Sequence, residues 1–420
     1  MSENNLLEIS DLKLHFPTDD GDVRALDSVS FGINKGEIFG LVGESASGKS
    51  VTSLTVIGLT TGVIDSGSVT FEGEELLEAT EERMRELRGN EISMIFQEPM
   101  TALNPLYTVE KQIYEVMKLH GKLPPPKWNP VERMYVGMRT SLARPFSRII
   151  SIATGFTATG GLAKSLFKPS GNDALFLLSI FTAYLMLTNW PIFSIVAFSF
   201  LMLSWVMSSI STLDSTHHDI ITDRLRDVKI PNPSGVARMY PHELSGGMRQ
   251  RVMIAMMMAC EPRLLIADEP TTALDVTIQS QIVELMKDLR NSKGTSILLI
   301  THDIGLVAEM CDRVGVMYAG RVVEQASVEE IFANPLHDYT KGLMASSPRL
   351  DSERKSELPT IPGQVASPSD YVPGCRFCQR MGVVGETLQN RPPTREISPG
   401  HLVEDCPVCV GGPKVGEEDE

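Results

Sequence analysis

Eight consecutive residues, Gly43-Glu44-Ser45-Ala46-Ser47-Gly48-Lys49-Ser50, carry the pattern G-x-x-x-x-G-K-[ST]. Glycine lets the backbone approach a phosphate closely. N–H groups at the start of the following helix then point at the anion. In this pattern Lys49 reaches the β- and γ-phosphates of a nucleotide, and the Ser50 hydroxyl ligates Mg²⁺. A pattern this short also occurs by chance. Here an apolar run, GEIFGLVGES (36–45), leads into the loop, and SVTSLTVIGL can start a helix after it. That strand–loop–helix context favours the phosphate reading.

A second group lies at LLIADEP (264–270). An apolar strand there delivers two carboxylates to its end. Asp268 suits the Mg²⁺ shell, and Glu269 suits orienting or polarising an attacking water. An isolated Asp-Glu at a strand end is more often a solvated turn. This one stands 219 residues after Lys49 and follows Leu244-Ser245-Gly246-Gly247-Met248-Arg249-Gln250. A third group, His302, closes SILLITHD (296–303). A lone histidine is more often structural, but its place at a strand end after the other two motifs favours function.

Elements able to position these residues can be read on both sides of the chain. LLEISDLKLHF (6–16) alternates like a strand, and GSVTFEG (67–73) is a short one. LLIADE (264–269) and SILLITHD (296–303) are apolar runs suited to strands buried on both faces of a parallel sheet. DVTIQSQIVELMKDLRN (275–291) has helical spacing between them. The alternation predicts an α/β fold with a largely parallel sheet. There is no internal repeat.

The middle differs in kind. Between Asp173 and Asp214 no residue is charged. ALFLLSIFTAYLMLT (174–188) and IFSIVAFSFLMLSWVMSSI (192–210) flank Asn189-Trp190-Pro191, a turn signal. A membrane helix takes about 20 apolar residues. The second run reaches that length, and the first falls slightly short unless it borrows Asn189 and Trp190. Arg139, Arg144, Arg148, Lys164 and Lys168 upstream would favour the cytoplasmic side. The run 174–210 is expected to be a helical hairpin entering the membrane. The alternative is a buried helical pair in an enlarged soluble subdomain. So long a stretch leaves no polar face for water, which favours the membrane.

The 420 residues suffice for two or three domains. Lys and Arg number 38 against 53 Asp and Glu, a net charge of −15, so no basic field exists to draw nucleic acid. MSENNLLEIS has no basic or apolar leader and does not read as a secretory signal. Residues 351–420 are rich in Pro, Gly and charge and read as an irregular appendage held by cysteines, ending in a solvated VGEEDE tail. Cys375, Cys378, Cys406 and Cys409 form two CxxC pairs separated by 27 residues, a tetrathiolate-like pattern that suits a structural Zn²⁺. Unligated thiols are the alternative. Cys260 and Cys311 read as small core residues.

LSGGMRQR resembles the signature motif of ABC ATPases. The usual fifth residue is Gln where Met248 stands here, a departure that peptide-importer members commonly share. The resemblance covers residues 6–120 and about 222–380. It implies a P-loop NTPase cassette with a RecA-like core (1–120 and 222–335) and a helical subdomain. That subdomain is interrupted by the segment 121–221 and followed by a cysteine-containing extension (336–420). It implies ATP contacts from Gly43, Ser45, Ser47, Gly48, Lys49, Ser50 and Val51, with Phe16 stacking on adenine; an ordinary strand residue is the alternative at Phe16. Gln97 in MIFQEPM resembles the glutamine that touches Mg²⁺ or water and senses the permease. Ser245, Gly246 and Gly247 would contact the γ-phosphate held by an opposite subunit. Asp275 resembles the D-loop aspartate, and His302 the switch histidine.

MTALNPLYTVEKQI (100–113), FANPLHDYTKGLMASSPRL (332–350), IPGQV, PGCRF and GHLVEDC resemble segments of oligopeptide and dipeptide importers. In that family a Pro-Arg-Cys motif usually follows PGCRF; here the second cysteine is displaced to Cys378. Some members carry a [4Fe–4S] cluster in this region, which stands beside Zn²⁺ as a second possibility for the four cysteines. The resemblance implies the ATP-hydrolysing subunit of a peptide importer at the cytoplasmic face of the membrane. Its partners would be a second, distinct ATPase subunit, two permease subunits and, indirectly, an external solute-binding protein. Nickel or another small solute is the alternative cargo. A non-transport ABC ATPase is the alternative class, disfavoured by a single cassette without a basic patch.

Overall fold

The computed structural model of the chain describes residues 4–19, 21–96, 102–125, 215–272, 274–346 and 360–410. By internal contacts the chain divides into one unit of residues 1–123 and 221–420 and another of 124–220. In the second unit the description covers Pro124, Pro125 and 215–220, where His217 Nε2 lies 2.8 Å from the Pro124 carbonyl oxygen. The apolar run 174–210 lies outside the described residues. Among the described residues no helix is long and apolar enough to cross a membrane.

The first unit is built on two sheets. Strands β1 (Asn5–Thr18), β2 (Gly21–Asn34), β4 (Val63–Phe71) and β5 (Glu74–Glu75) form an antiparallel sheet in the order β2-β1-β4-β5. Along β1, beyond the buried Leu6, the alternating buried residues run Leu7 and Ile9, then Leu12 and Leu14. The period of two therefore slips by one position. A register shift between Ile9 and Leu12 takes up the slip, with Asp11 at φ +48°. Both apolar pairs thereby face the same core.

The larger sheet has eight strands in the order β11-β12-β10-β9-β3-β8-β7-β6. Its parallel part comprises β9 (Arg313–Tyr318), β3 (Ile38–Val42), β8 (Ser296–Thr301), β7 (Leu264–Asp268) and β6 (Ile92–Ile95). Every residue of β3, β6, β7 and β8 is buried, which explains their near-continuous apolar sequences. The helix Lys49–Val56 follows β3, and Val276–Lys293 lies between β7 and β8. Asp275 caps the latter by accepting from Ile278 N at 2.9 Å, and Gly294 ends it at φ +70°.

The expected irregular appendage is corrected here. Strands β11 (Thr394–Ser398) and β12 (His401–Glu404) extend the main sheet through β10 (Arg321–Ser327), with Glu324 opposite Val403 and Gln325 opposite Leu402. Their apolar signal is short and broken by turn residues, so composition alone reads as loop.

Asp27 ties this extension to the core. Its Oδ2 accepts from Arg321 Nη2 at 2.7 Å and Arg376 Nη2 at 2.8 Å, while its backbone oxygen accepts from Arg391 at 3.0 Å. Burial alone would raise the Asp27 pKa, but the three guanidinium groups outweigh it and hold the carboxyl below its usual range. The stability this contributes is present above about pH 4 and fades as pH falls through the lowered pKa. Asp27→Asn is expected to lower unfolding free energy by about 3 kcal/mol, because it strands buried arginines. It should also flatten the acid limb of the stability profile. Urea unfolding between pH 4 and 7 checks both, and a loss below about 1 kcal/mol would refute the hub.

Candidate functional site

Three adjacent parallel strands, in the order β3-β8-β7, end on the same side of the sheet. The Gly43–Ser50 loop follows β3, Asp268 and Glu269 close β7, and His302 follows β8. The carboxyl ends of parallel strands are where ligands of such sheets bind.

The loop is held by close contacts. A Cβ on Gly43 would lie 2.0 Å from the Met317 carbonyl oxygen, so only glycine fits. Gly48 has φ +101°, and a Cβ there would meet Leu26 and Met317 at 2.8 Å. Ala46 is left-handed at φ +62°. Left-handed residues alternating with right-handed ones form the concave backbone that receives anions. The helix starting at Lys49 has neither a side-chain cap nor an acidic residue in its first turn. Its N-terminal N–H groups and the positive end of its dipole therefore remain for a negative group.

The Lys49 side chain is buried at 6% exposure, and Nζ donates to Gly43 O and Glu44 O at 2.8 Å and to Ser47 Oγ at 3.2 Å. Burial lowers its pKa, against the pull of Glu269, Asp268 and Glu44. Asp268 is buried, and burial raises its pKa; the neighbouring Ser50 hydroxyl opposes the rise and the Glu269 charge adds to it.

Glu269 behaves in the opposite way. Burial pulls its pKa up, but hydrogen bonds from His302 and Thr272 and the nearby positive charge bring it below the usual value. His302 Nδ1 is 3.1 Å from Oε1, and Thr272 Oγ donates to Oε2 at 3.0 Å. With the carboxyl ionised, the ring nitrogen is the donor. The Glu269 backbone sits at φ +47°, a left-handed conformation that costs a residue of this size about 1–3 kcal/mol. Thr272 was not singled out from sequence; its position three residues after Glu269 is the signal that could have found it.

Other candidates lie apart from this group. Ser245 caps the helix Gly246–Met258 by accepting from Met248 N at 3.4 Å, and Gly247 packs against Ile278. Ser245 and Gly246 are exposed, and Asp275 is spent on its own helix cap. Phe16 is half-buried against the core of the antiparallel sheet. Val51 is also half-buried against that core. Gln97 lies outside the described residues.

A second centre is formed by Cys375, Cys378, Cys406 and Cys409. Their sulfur atoms all lie within 4.8 Å of one another, and each residue is at most 2% exposed. None is in a disulfide. The Cys378–Cys406 and Cys378–Cys409 sulfurs are 3.5 Å apart, and those of Cys375 and Cys409 3.7 Å. Cys375 Sγ also accepts from Cys378 N, as at the start of a helix. Cys260 is buried as expected; Cys311 is half-buried, with its sulfur against Gly40.

Residues 26–272 match the family described as ABC transporter, and residues 323–383 match the oligopeptide/dipeptide transporter C-terminal region. The chain is 40% identical over 400 residues to the "Probable peptide ABC transporter ATP-binding protein y4tR" of Sinorhizobium fredii, covering 94% of this chain and 93% of that one. It is 39% identical over 401 residues to the oligopeptide transport ATP-binding protein OppD of Salmonella typhimurium, covering 95% and 92%. To OppD of Bacillus subtilis it is 38% identical over 414 residues, covering 98% and 91%.

The left-handed Glu269 makes a stability prediction. Asparagine adopts that conformation far more readily than glutamate. Glu269→Asn is expected to raise unfolding free energy by about 1 kcal/mol. Thermal and urea unfolding check this, and a destabilised variant would show that the His302 and Thr272 bonds outweigh the strain.

Proposed function

The chain belongs to the ABC transporter family, in the branch with the oligopeptide/dipeptide transporter C-terminal region, and from that membership we propose that it is the ATP-hydrolysing subunit of a di- and oligopeptide importer. The observation that carries the ATPase reading is the meeting of Lys49, Asp268, Glu269 and His302 at the ends of three adjacent strands.

The phosphates of ATP suit the Gly43–Ser50 loop, whose free helix N–H groups and Lys49 supply positive charge. Lys49 exchanges its bonds to Gly43 O and Glu44 O for the β- and γ-phosphate oxygens. Ser50 and Asp268 are hard oxygen donors that neighbour one another, and they fit Mg²⁺, with Gln97 as a further contact. When bound, Mg²⁺ neutralises charge developing on the phosphates. Glu269 stays ionised and orients the attacking water, while His302 holds its carboxylate and faces the γ-phosphate. Phe16 stacks on the adenine, and Ser45, Ser47 and Val51 complete the loop.

Ser245 and Gly246 are exposed at a helix start, and with Gly247 they serve the nucleotide of a partner ATPase subunit, with Asp275 beside that joint. Such subunits work as dimers under membrane permeases, which places this chain at the cytoplasmic face of the membrane. The partner is a second, distinct ATPase, and the peptides reach the two permeases from an external binding protein. The uncharged run 174–210 supports an added attachment beside the permease; stripping of permease-free membranes by alkaline carbonate would end that idea.

The four cysteines fit a single Zn²⁺. Tetrahedral ligation at about 2.3 Å sets sulfur separations near those found. A four-iron cube holds each sulfur on a different iron and therefore farther apart. The buried Nε2 of His337 has no hydrogen-bond partner among the described residues. The ion supplies a crosslink.

Glu269→Gln should cut ATP hydrolysis about 10²–10³-fold while ATP binding persists. Uptake of labelled di- and oligopeptides in the native cells should collapse at unchanged protein level. Unchanged peptide uptake would assign the cargo to another small solute, and unchanged hydrolysis would remove Glu269 from the reaction. Elemental analysis of the full chain should find about one zinc per chain; iron with acid-labile sulfide would replace that assignment with a cluster.

A further inference from the structure

Glu44 belongs to the phosphate loop, yet both its backbone and its side chain are held from the C-terminal extension. Its N–H donates to the Tyr339 hydroxyl at 3.0 Å. Its carboxylate accepts from Arg380 Nη1 at 2.7 Å. Tyr339 is fully buried, and the Arg380 side chain is 6% exposed. These contacts join residues 295 and 336 positions apart in the chain.

Both holding residues are set by the cysteine centre. Arg380 ends the helix Arg376–Arg380, whose first turn is the Cys375–Cys378 pair. The rest of its guanidinium is fixed by Pro362 O at 2.9 Å and Ile361 O at 3.1 Å, which leaves it one direction in which to reach. Phe377, between the two cysteines, packs its ring 5.7 Å from that of Tyr339 and 5.6 Å from Tyr318. Cys409 adds a backbone tie, its oxygen accepting from Asp338 N at 3.0 Å, next to Tyr339. The helix Arg376–Arg380 has only five residues, too few to be stable alone. Its direction therefore depends on what fastens Cys375 and Cys378.

The geometry points to control of nucleotide affinity by the four-cysteine centre, acting through Tyr339 and Arg380 on Glu44 of the phosphate loop. The inference rests on the single-ion reading of that centre. With the cysteines fastened together, the loop's second residue is held in position before a nucleotide arrives. With them released, the helix Arg376–Arg380 and the Phe377 ring lose their anchor, and Glu44 loses both restraints. Tyr339 and Arg380 are positioning residues: they touch the loop and not the phosphates.

The test uses the full-length chain, zinc content by elemental analysis, and binding of a fluorescent ATP analogue with Mg²⁺ present. Arg380→Gln and Tyr339→Phe are expected to keep their zinc and to weaken the analogue about 3- to 10-fold each. Arg380→Lys should recover part of the loss, which a merely structural residue would not show. Removing zinc from the wild type with a chelator should weaken the analogue at least as much, and re-adding zinc should restore it. In Tyr339→Phe/Arg380→Gln, removing zinc should change affinity little further. Arg395→Ala, in an exposed pair on the outer hairpin, is the control expected to leave binding unchanged.

Zinc that leaves without any change in affinity overturns the coupling and spares the single-ion reading. A wild-type chain that never carries metal overturns the single-ion reading, and metal control with it. Variants that keep zinc and bind the analogue as tightly as wild type show that Tyr339 and Arg380 do not hold the loop, and overturn the route proposed here.

Discussion

One carboxylate binds three distant stretches of this chain. Asp27 lies on the antiparallel sheet, Arg321 on β10, and Arg376 in the helix that starts at the cysteines. Arg321 continues the link, donating to Gly374 O at 2.7 Å and Pro373 O at 2.8 Å just before Cys375. Buried charges like these add little net stability, since desolvation offsets much of their attraction. Their effect is positional: they leave the extension one register against the core. Gly320, whose Cβ would collide with Ala25 O, lets the backbone of β9–β10 pass close to both Asp27 and Ser47.

The same economy governs the nucleotide end of the sheet. A parallel sheet brings Lys49, Asp268 and His302 together because β3, β7 and β8 are neighbours and end on one side. Two carboxylates side by side would share a similar pKa if their surroundings matched. Here burial lifts Asp268, while two hydrogen bonds depress Glu269. Asp268 is thereby shifted toward its protonated form, and Glu269, held by His302 and Thr272, toward its ionised form. Glu269 achieves its place with a left-handed backbone, a strain that the core on either side of β7 sustains.

Much of this was legible in the sequence, for physical reasons. Strands buried on both faces must be short and apolar, so 264–269 and 296–303 announced themselves within a residue or two of β7 and β8. A phosphate loop needs glycine at fixed spacing, so 43–50 could be read directly. The β11–β12 hairpin could not, since β11 is exposed and polar and β12 is only four residues long. Nor could Tyr339 or Arg380, because a contact between positions 44 and 380 leaves no local pattern. Thr272 lay within reach of Glu269 but has no type-specific signature.

The size of the proposed coupling between the two centres is bounded by comparing magnitudes. A structural zinc held by thiolates contributes about 10–16 kcal/mol to the fold that carries it. The bonds at Glu44 are one neutral hydrogen bond and one charged pair, together worth only about 2–4 kcal/mol. Under the single-ion proposal, a loop held so weakly does not impose its shape on the four cysteines. The cysteines can impose theirs on the loop, because Arg380 and the Phe377 ring are only a few bonds away from the sulfurs and have little freedom of their own. Coupling free energy is reciprocal, so under that proposal a nucleotide tightens the ion by the same small factor by which the fastened cysteines tighten the nucleotide. A C-terminal region far along the chain thus supplies two of the groups that hold Glu44 of the phosphate loop, Tyr339 and Arg380.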